Sequence, residues 1–184
     1  MVRFTAARTD ADLQHILDLQ ARNLPEHLSA TEVREQGFVT VRHDLDLLRR
    51  MNARGPHAVA WRADTLAGYA LVMVSDFRSQ IPVLRSMFER IDTHTIDGRA
   101  LRDLPYCVMG QVCVAKPFRG RGVFDGLYTQ LDHHLAGRYD YLVTLIASRN
   151  PRSLRAHERI GFRLLERYRD EREAWNLVVR PVVG

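Results

Sequence analysis

The sequence predicts a mixed α/β fold in a single domain. Three observations carry that expectation. Strand-like runs and helical stripes alternate along the chain, and in its second half they form a strand–turn–helix–strand–helix–strand series. The 184 residues, 46% hydrophobic and 27% charged, can bury a core without metal or disulfide staples. No repeat, low-complexity tract or linker divides them.

Val2–Ala7 alternates as an opening strand, and Thr9 or Asp10 can cap a helix carrying Leu13, Ile16, Leu17 and Leu19 at helical spacing. Leu24–Ser29 contains a proline and reads as a break. A short helix near Thr31–Gln36, an apolar patch Phe38–Val41 and a helix Asp44–Asn52 follow, and Gly55-Pro56 then punctuates the chain. His57–Trp61 and Leu66–Ser75 are strand-like and joined by Ala63-Asp64-Thr65, a hairpin signature. Ile81–Ile91 has a helical face formed by Val83, Leu84, Met87, Phe88 and Ile91, and the polar Asp92–Leu104 reads as loop. Tyr106–Val114 is the next strand. Val123–Leu135 places Phe124, Leu127, Tyr128, Leu131 and Leu135 on one helical stripe. Tyr141–Ala147 is apolar throughout, as a strand covered on both faces would be. A helix Pro151–Ile160 leads through Gly161 to strands Phe162–Tyr168 and Ala174–Val183.

The formal net charge is +5, yet the arginines are interleaved with acids, as in Glu166–Glu173, and Lys116 is the only lysine. That pattern suits a solvated mixed-charge surface and argues against a nucleic-acid patch. Cys107 and Cys113 fall six residues apart in one predicted strand. That span is roughly 20 Å, against the ~7 Å a disulfide allows, so free thiols of a reducing compartment are expected. The first ten residues lack an apolar signal core, and no apolar run approaches the roughly 20 residues of a membrane span. A cytoplasmic protein without membrane attachment or a metal site is expected.

After the strand Met109–Val114 comes Ala115-Lys116-Pro117-Phe118-Arg119-Gly120-Arg121-Gly122-Val123 and then the long helix. Gly120 and Gly122 permit the positive φ that lets successive N–H groups face one concavity, and a helix start adds unsatisfied donors. Such a turn suits a pyrophosphate, with Arg119 and Arg121 adding charge; taken alone it is equally a connector. A phosphate loop would require Gly-Lys-Ser/Thr, which the chain lacks, and a dinucleotide fingerprint would require a third glycine where Asp125 stands.

Val112-Cys113-Val114 with Arg119-Gly120-Arg121-Gly122-Val123-Phe124 resembles the coenzyme A-binding motif of the GNAT superfamily, Gln/Arg-x-x-Gly-x-Gly/Ala, matching at Arg119 and Gly122. Phe124 occupies the last, small position. Asn150-Pro151-Arg152-Ser153-Leu154-Arg155-Ala156-His157-Glu158-Arg159-Ile160-Gly161-Phe162 resembles the family's second motif, Asn-x-x-Ala/Ser-x-x-x-Tyr/His-Glu-x-x-Gly-Phe. Capping chemistry also explains this stretch: Asn150 is a good N-cap, Pro151 a good first residue and Gly161 a good terminator.

The resemblance implies one N-acetyltransferase domain over residues 1–184, with a mostly antiparallel sheet splayed at its fourth and fifth strands and flanked by helices. It implies that the amides of residues 120–124 cradle the pyrophosphate of acetyl-coenzyme A. Val112 and Val114 would offer backbone groups to the pantetheine, with Cys113 between them as a core thiol. Asn150, Ser153 and His157 would follow the pantetheine arm on one helix face.

The implied reaction is direct attack of an amine on the thioester in a ternary complex. A backbone N–H near Val114 would serve the oxyanion, and His157 would either protonate the leaving thiolate or only hydrogen-bond it. Where many relatives carry a strand-borne glutamate, this chain offers Gln111, Met109 or Tyr106. Asp76, Asp140, Glu173 and His94 are the remaining candidates for the base.

The partners implied are acetyl-coenzyme A and an amine-bearing small molecule or peptide, with a homodimer left open. The acceptor site would be walled by Thr31–Val41 and the hairpin around Tyr168–Glu173, with Trp61 and Trp175 as candidate lining residues. A non-catalytic acyl-coenzyme A sensor of the same fold is the alternative.

Overall fold

The computed structural model describes residues 1–78, 85–171 and 173–184. Among them the order is β1 (Arg3–Ala6), α1 (Asp10–Ala21), α2 (Ala30–Gln36), α3 (Leu45–Arg54), β2 (Ala58–Arg62), β3 (Thr65–Met73), α4 (Arg85–Ile91), β4 (Thr95–Ile96), β5 (Arg99–Ala100), β6 (Tyr106–Val114), α5 (Val123–Leu135), β7 (Tyr141–Ala147), α6 (Pro151–Arg159), β8 (Arg163–Arg169) and β9 (Ala174–Pro181). The expected helix from Ile81 is described only from Arg85, so Val83 and Leu84 lie outside the described residues.

Local chemistry sets the helix starts. Thr9 and Asp12 form a reciprocal capping box on α1, as do Ser29 and Glu32 on α2. Asp44 accepts from the Leu47 amide at α3, and Asn150 from the Ser153 amide at α6.

Seven strands form one sheet in the order β1-β2-β3-β6-β7-β9-β8. Its pairs are antiparallel apart from β6 with β7. α5 lies across β1, β2 and β3 on one face, burying Leu127, Tyr128, Leu131 and Leu135. On the opposite face α1 and α3 pack against β3, with Leu13, Ile16, Leu48 and Met51 in a second core.

The parallel pair is short. It runs from Tyr106↔Tyr141 to Val108↔Val143 and stops there. Two residues later β6 bulges: Met109 is paired with Val72 and Gln111 with Leu71, which leaves Gly110 as the extra residue. β6 continues along β3 as far as Val114↔Gly68, so beyond the bulge its other edge is free of β7. One side-chain bond spans the parting, from Thr144 Oγ1 to the Met109 carbonyl at 2.8 Å. The bulge also exchanges the faces of β6. Cys107 packs in the core beneath α5 and Cys113 in the one beneath α1, and both are buried free thiols.

One element corrects the sequence reading. Asp92–Leu104 is not a plain loop, because Thr95–Ile96 and Arg99–Ala100 pair as a two-stranded hairpin. Its turn is Asp97-Gly98, both at positive φ (51° and 78°), which is a favoured hairpin dipeptide. Ile96, Leu101 and Leu104 are buried but share no period, so the patterning gave no sign of them. Among the described residues no helix is long and apolar enough to cross a membrane.

Candidate functional site

A groove of about 440 Å³ follows the free edge of β6. Val112 and Val114 form its floor, the start of α5 one wall, and α6 with Gly37 and Phe38 the other. The backbone direction along this edge follows from register. Ala115 N–H donates to the Ala67 carbonyl (2.9 Å), and bonded and non-bonded pairs alternate in an antiparallel ladder. Residues 111, 113 and 115 therefore bond to β3, whereas Val112 and Val114 turn their N–H and C=O groups toward the groove. The Val114 carbonyl accepts from Arg119 Nε at 3.0 Å. The Cys113 side chain is buried with Tyr69 on the far side, and burial pushes its thiol up to about 12, so only its backbone borders the groove.

Gly120 (φ 69°) and Gly122 (φ 76°) both hold left-handed conformations, and a Cβ on either would meet no protein atom within 4 Å. Gly122 is the N-cap of α5, and no side chain caps this 13-residue helix. The amides of Val123 and Phe124 thus begin a helix whose donors and positive dipole end face open space beside Gly120 and Gly122. These features fit a coenzyme A pyrophosphate: donors, room for close approach and an open strand edge leading inward.

The charged residues divide differently from the sequence reading. Arg119 is a strut, with Nη1 on Gln36 Oε1 (3.2 Å) and Nη2 on Asn23 Oδ1 (2.8 Å) besides the Val114 bond. Arg121 is exposed and does not line the groove. Arg152 and Arg159 do line it, seven residues apart on one face of α6. Arg159 holds Asp125 in the first turn of α5 through bonds of 2.6 and 3.1 Å. That i, i+7 spacing was the available signal and was missed.

Asn150 is buried, with its Oδ1 on the Ser153 amide (3.2 Å) and its Nδ2 on the Phe38 carbonyl (3.1 Å). A Cβ on Gly37 (φ 75°) would stand 2.9 Å from that Oδ1, so only glycine lets the segment after α2 close onto α6. Asn150 and Ser153 line the groove.

His157 does not, and here the structure corrects the sequence reading. The ring is 2% exposed, and Phe124, Tyr128 and Phe162 stand edge-on to it at 5.1–5.5 Å. Nδ1 lies 2.8 Å from the Ser153 carbonyl, which can only accept, so Nδ1 carries the proton. Nε2 then accepts from Tyr128 Oη at 2.7 Å. Desolvation lowers its pKa to about 4. A neutral ring with both nitrogens engaged and no face on the groove is not placed to act as a general acid. Phe124 at the motif's small position does line the groove, and it lies between the groove and this ring.

A second cavity of about 220 Å³ opens where β6 and β7 separate, lined by Val108, Met109 and Gly110 on one strand and Thr144 and Leu145 on the other. Thr40, Val41 and Trp175 also border it, whereas Trp61 lies by His15 on the β1–β2 side of the sheet. Of the four candidate bases, Glu173 alone lines this cavity. Asp76 pairs with Arg54, His94 with Glu166, and Asp140 borders a separate hollow near the C-terminal residues. Gln111 faces away from both cavities, fixed by Tyr69 Oη (2.6 Å), Gln20 Nε2 (2.8 Å) and the Val41 carbonyl (2.8 Å).

Comparison with known proteins agrees with this architecture. Residues 85–170 match the family described as FR47-like protein. Among curated proteins no sequence matches significantly. The ribosomal-protein-S18-alanine N-acetyltransferase from Escherichia coli superposes with a TM-score of 0.66 at 13% identity, over 100% of this chain and 96% of that one. Naa50 from Arabidopsis thaliana, in complex with a bisubstrate analogue of coenzyme A and a peptide, gives 0.64 at 12% identity over 97% of each chain. YncA from Salmonella typhimurium, solved with acetyl-coenzyme A, gives 0.62 at 19% identity over 99% of this chain and 94% of that one. The FR47-like match over residues 85–170 and the shared fold agree with the resemblance to the GNAT superfamily that the two sequence motifs carry.

Proposed function

We propose that the chain transfers an acetyl group from acetyl-coenzyme A to an amine. The observation that carries this reading is the free edge of β6, which runs from the uncapped start of α5 into the second cavity. When bound, acetyl-coenzyme A supplies a thioester whose carbonyl carbon bonds to the amine nitrogen while the C–S bond breaks and its electron pair leaves on sulfur.

The chain's own residues divide the remaining work. The α5 amides and the glycine turn hold the diphosphate, and Val112 and Val114 align the arm by strand-like bonds. The Val114 N–H faces the groove from the free edge of β6, and it serves the carbonyl oxygen. Glu173 takes the proton that an ammonium must lose, directly or through water. The Nδ1 proton of His157 is held by the Ser153 carbonyl and the ring does not line the groove, so the thiolate departs without it.

A non-catalytic sensor would require only the first groove; the second cavity, with a carboxylate in its wall, favours catalysis. Calorimetry with acetyl-coenzyme A, followed by thiol release against an amine panel, tests the proposal. Tight binding without amine-dependent thiol release would leave the sensor.

A further inference from the structure

Arg149 follows β7 and reaches the rim of the second cavity. Its guanidinium lies 4.3 Å over the Phe38 ring, and its Nε donates to the Glu173 carboxylate. Phe38 thus fixes the plane of the group and Glu173 fixes one edge. The opposite edge, formed by the two terminal nitrogens, makes no hydrogen bond or ion pair among the described residues. A guanidinium held in this way presents a planar fork matched to a carboxylate.

The rest of the cavity sharpens the match. Arg149 and Glu173 are its only ionisable lining residues among those described, and Met87, Val108, Met109, Leu145 and Trp175 give it apolar walls. Its volume of about 220 Å³ lies below the roughly 300–1,000 Å³ of sites for drug-sized ligands. One cation and one anion on an apolar wall complement a small ligand with one anion, one cation and an apolar body.

Resting on the acetyl-transfer reading above, we propose that the acceptor is a free apolar α-amino acid. Its carboxylate sits on the terminal nitrogens of Arg149, its amino group beside Glu173, and its side chain against Met109, Leu145 and Trp175. A peptide would present a neutral amide to the fork in place of a carboxylate, and a plain amine would present nothing. Acetylation converts the ammonium to a neutral amide, which removes the attraction to Glu173 and favours release of the product.

The test compares L-leucine, L-leucinamide, isopentylamine and a leucine-initiated peptide as acceptors with the full chain, and as ligands by calorimetry at saturating coenzyme A. L-Leucine is expected to have a kcat/KM at least about 30-fold above the other three, mostly through KM. Arg149→Met should erase that preference by raising the KM for leucine much more than that for isopentylamine, and Arg149→Lys should restore part of it. Equal use of leucine and isopentylamine, preference for the peptide, or a preference unchanged in Arg149→Met would overturn the proposal. If no amine is acetylated, the acetyl-transfer reading fails, and calorimetry still decides the present one. Leucine binding that Arg149→Met abolishes supports it, whereas no leucine binding, or binding equal to that of isopentylamine, sinks it.

Discussion

The ring of Phe124 stands edge-on to the ring of His157, with centroids 5.2 Å apart and planes at 85°. Phe124 is the chain's departure from the first motif, and it meets the histidine of the second. A bulky residue stands where the motif has a small one on α5, and it covers the imidazole on α6. Removing that cover should rehydrate the imidazole. In Phe124→Ala the His157 pKa is expected to rise from about 4 toward the ordinary 6.5, as read by NMR titration of the ring protons. A value still near 4 would assign the burial to Tyr128 and Phe162 instead.

Replacing the imidazole itself separates structure from chemistry. His157→Phe leaves the Tyr128 hydroxyl buried without its acceptor, which should cost about 1–3 kcal/mol of stability in urea denaturation. Its kcat should stay within about threefold of the parent, because the ring itself does not line the groove. A hundredfold fall in kcat with coenzyme saturation retained would restore His157 to the reaction.

Gly122 tests the pyrophosphate cradle. A valine there must hold a left-handed φ of 76°, yet it meets no protein atom, so the folded chain loses only the local strain, about 1–3 kcal/mol. Its methyl groups enter the space into which the α5 amides open. Acetyl-coenzyme A binding should therefore fall at least about 100-fold in calorimetry, while thermal unfolding shifts by only a few degrees. Arg119→Ala makes the complementary case. It removes three bonds that link the turn to the segment after α1, to α2 and to β6, so its loss should appear in stability as well as affinity, and added salt should not abolish it.

What the sequence disclosed follows from what is periodic or local. The helix Val123–Leu135 and the strand Tyr141–Ala147 were legible because each keeps one pattern from end to end, and the strand Tyr106–Val114 because strand-forming residues flank its bulge on both sides. The bulge at Gly110 was not, because a lone glycine in a strand does not announce which edge it opens. Phe38 beneath Arg149 joins residues far apart in the chain, a contact that no local pattern encodes. Glu173 could be named among four candidates, but only the closing of β8 and β9 against the parted strands brings it to the cavity. For His157 the motif gave the right helix and the wrong surroundings, since packing by Phe124, Tyr128 and Phe162 decides where the ring faces.

Gly126 reports on a packing constraint between α5 and β1. A Cβ there would come within 2.2 Å of the Phe4 ring, where β1 lies on α5. Alanine is the better helix former by about 1 kcal/mol, so propensity alone predicts stabilisation. The clash should win, because the ring is held between strand and helix, and Gly126→Ala is expected to destabilise by about 1–3 kcal/mol. In the double variant with Phe4→Leu the alanine should become neutral or stabilising, giving a large coupling energy in a double-mutant cycle. Additive effects would show that the ring moves aside freely.

Three buried histidines should make folding sensitive to mild acid. Burial lowers the pKa of His43 to about 4, of His57 to about 3 and of His157 to about 4. In the unfolded chain each would titrate near 6.5. As the pH falls below that value, the unfolded chain takes up protons that the folded chain refuses, so stability is lost downward from about 6.5. The loss continues to about 4 for His43 and His157 and to about 3 for His57, where the folded form also protonates. Each histidine in this window costs roughly a factor of ten in the folding equilibrium per pH unit, so the three together cost two to three powers of ten between pH 6 and 5. The exposed acids contribute little in that interval: Glu32, paired with Lys116, is pulled down to about 2, and its unfolded titration lies near 4.5. His43 offers the cleanest removal, because its Nδ1 meets Gln20 Nε2 at 2.8 Å and a glutamine oxygen can accept the same bond. Urea denaturation at pH 7, 6 and 5 should show the slope for His43→Gln reduced by about one power of ten per unit. An unchanged slope would mean that His43 is protonated in the folded protein, against its burial.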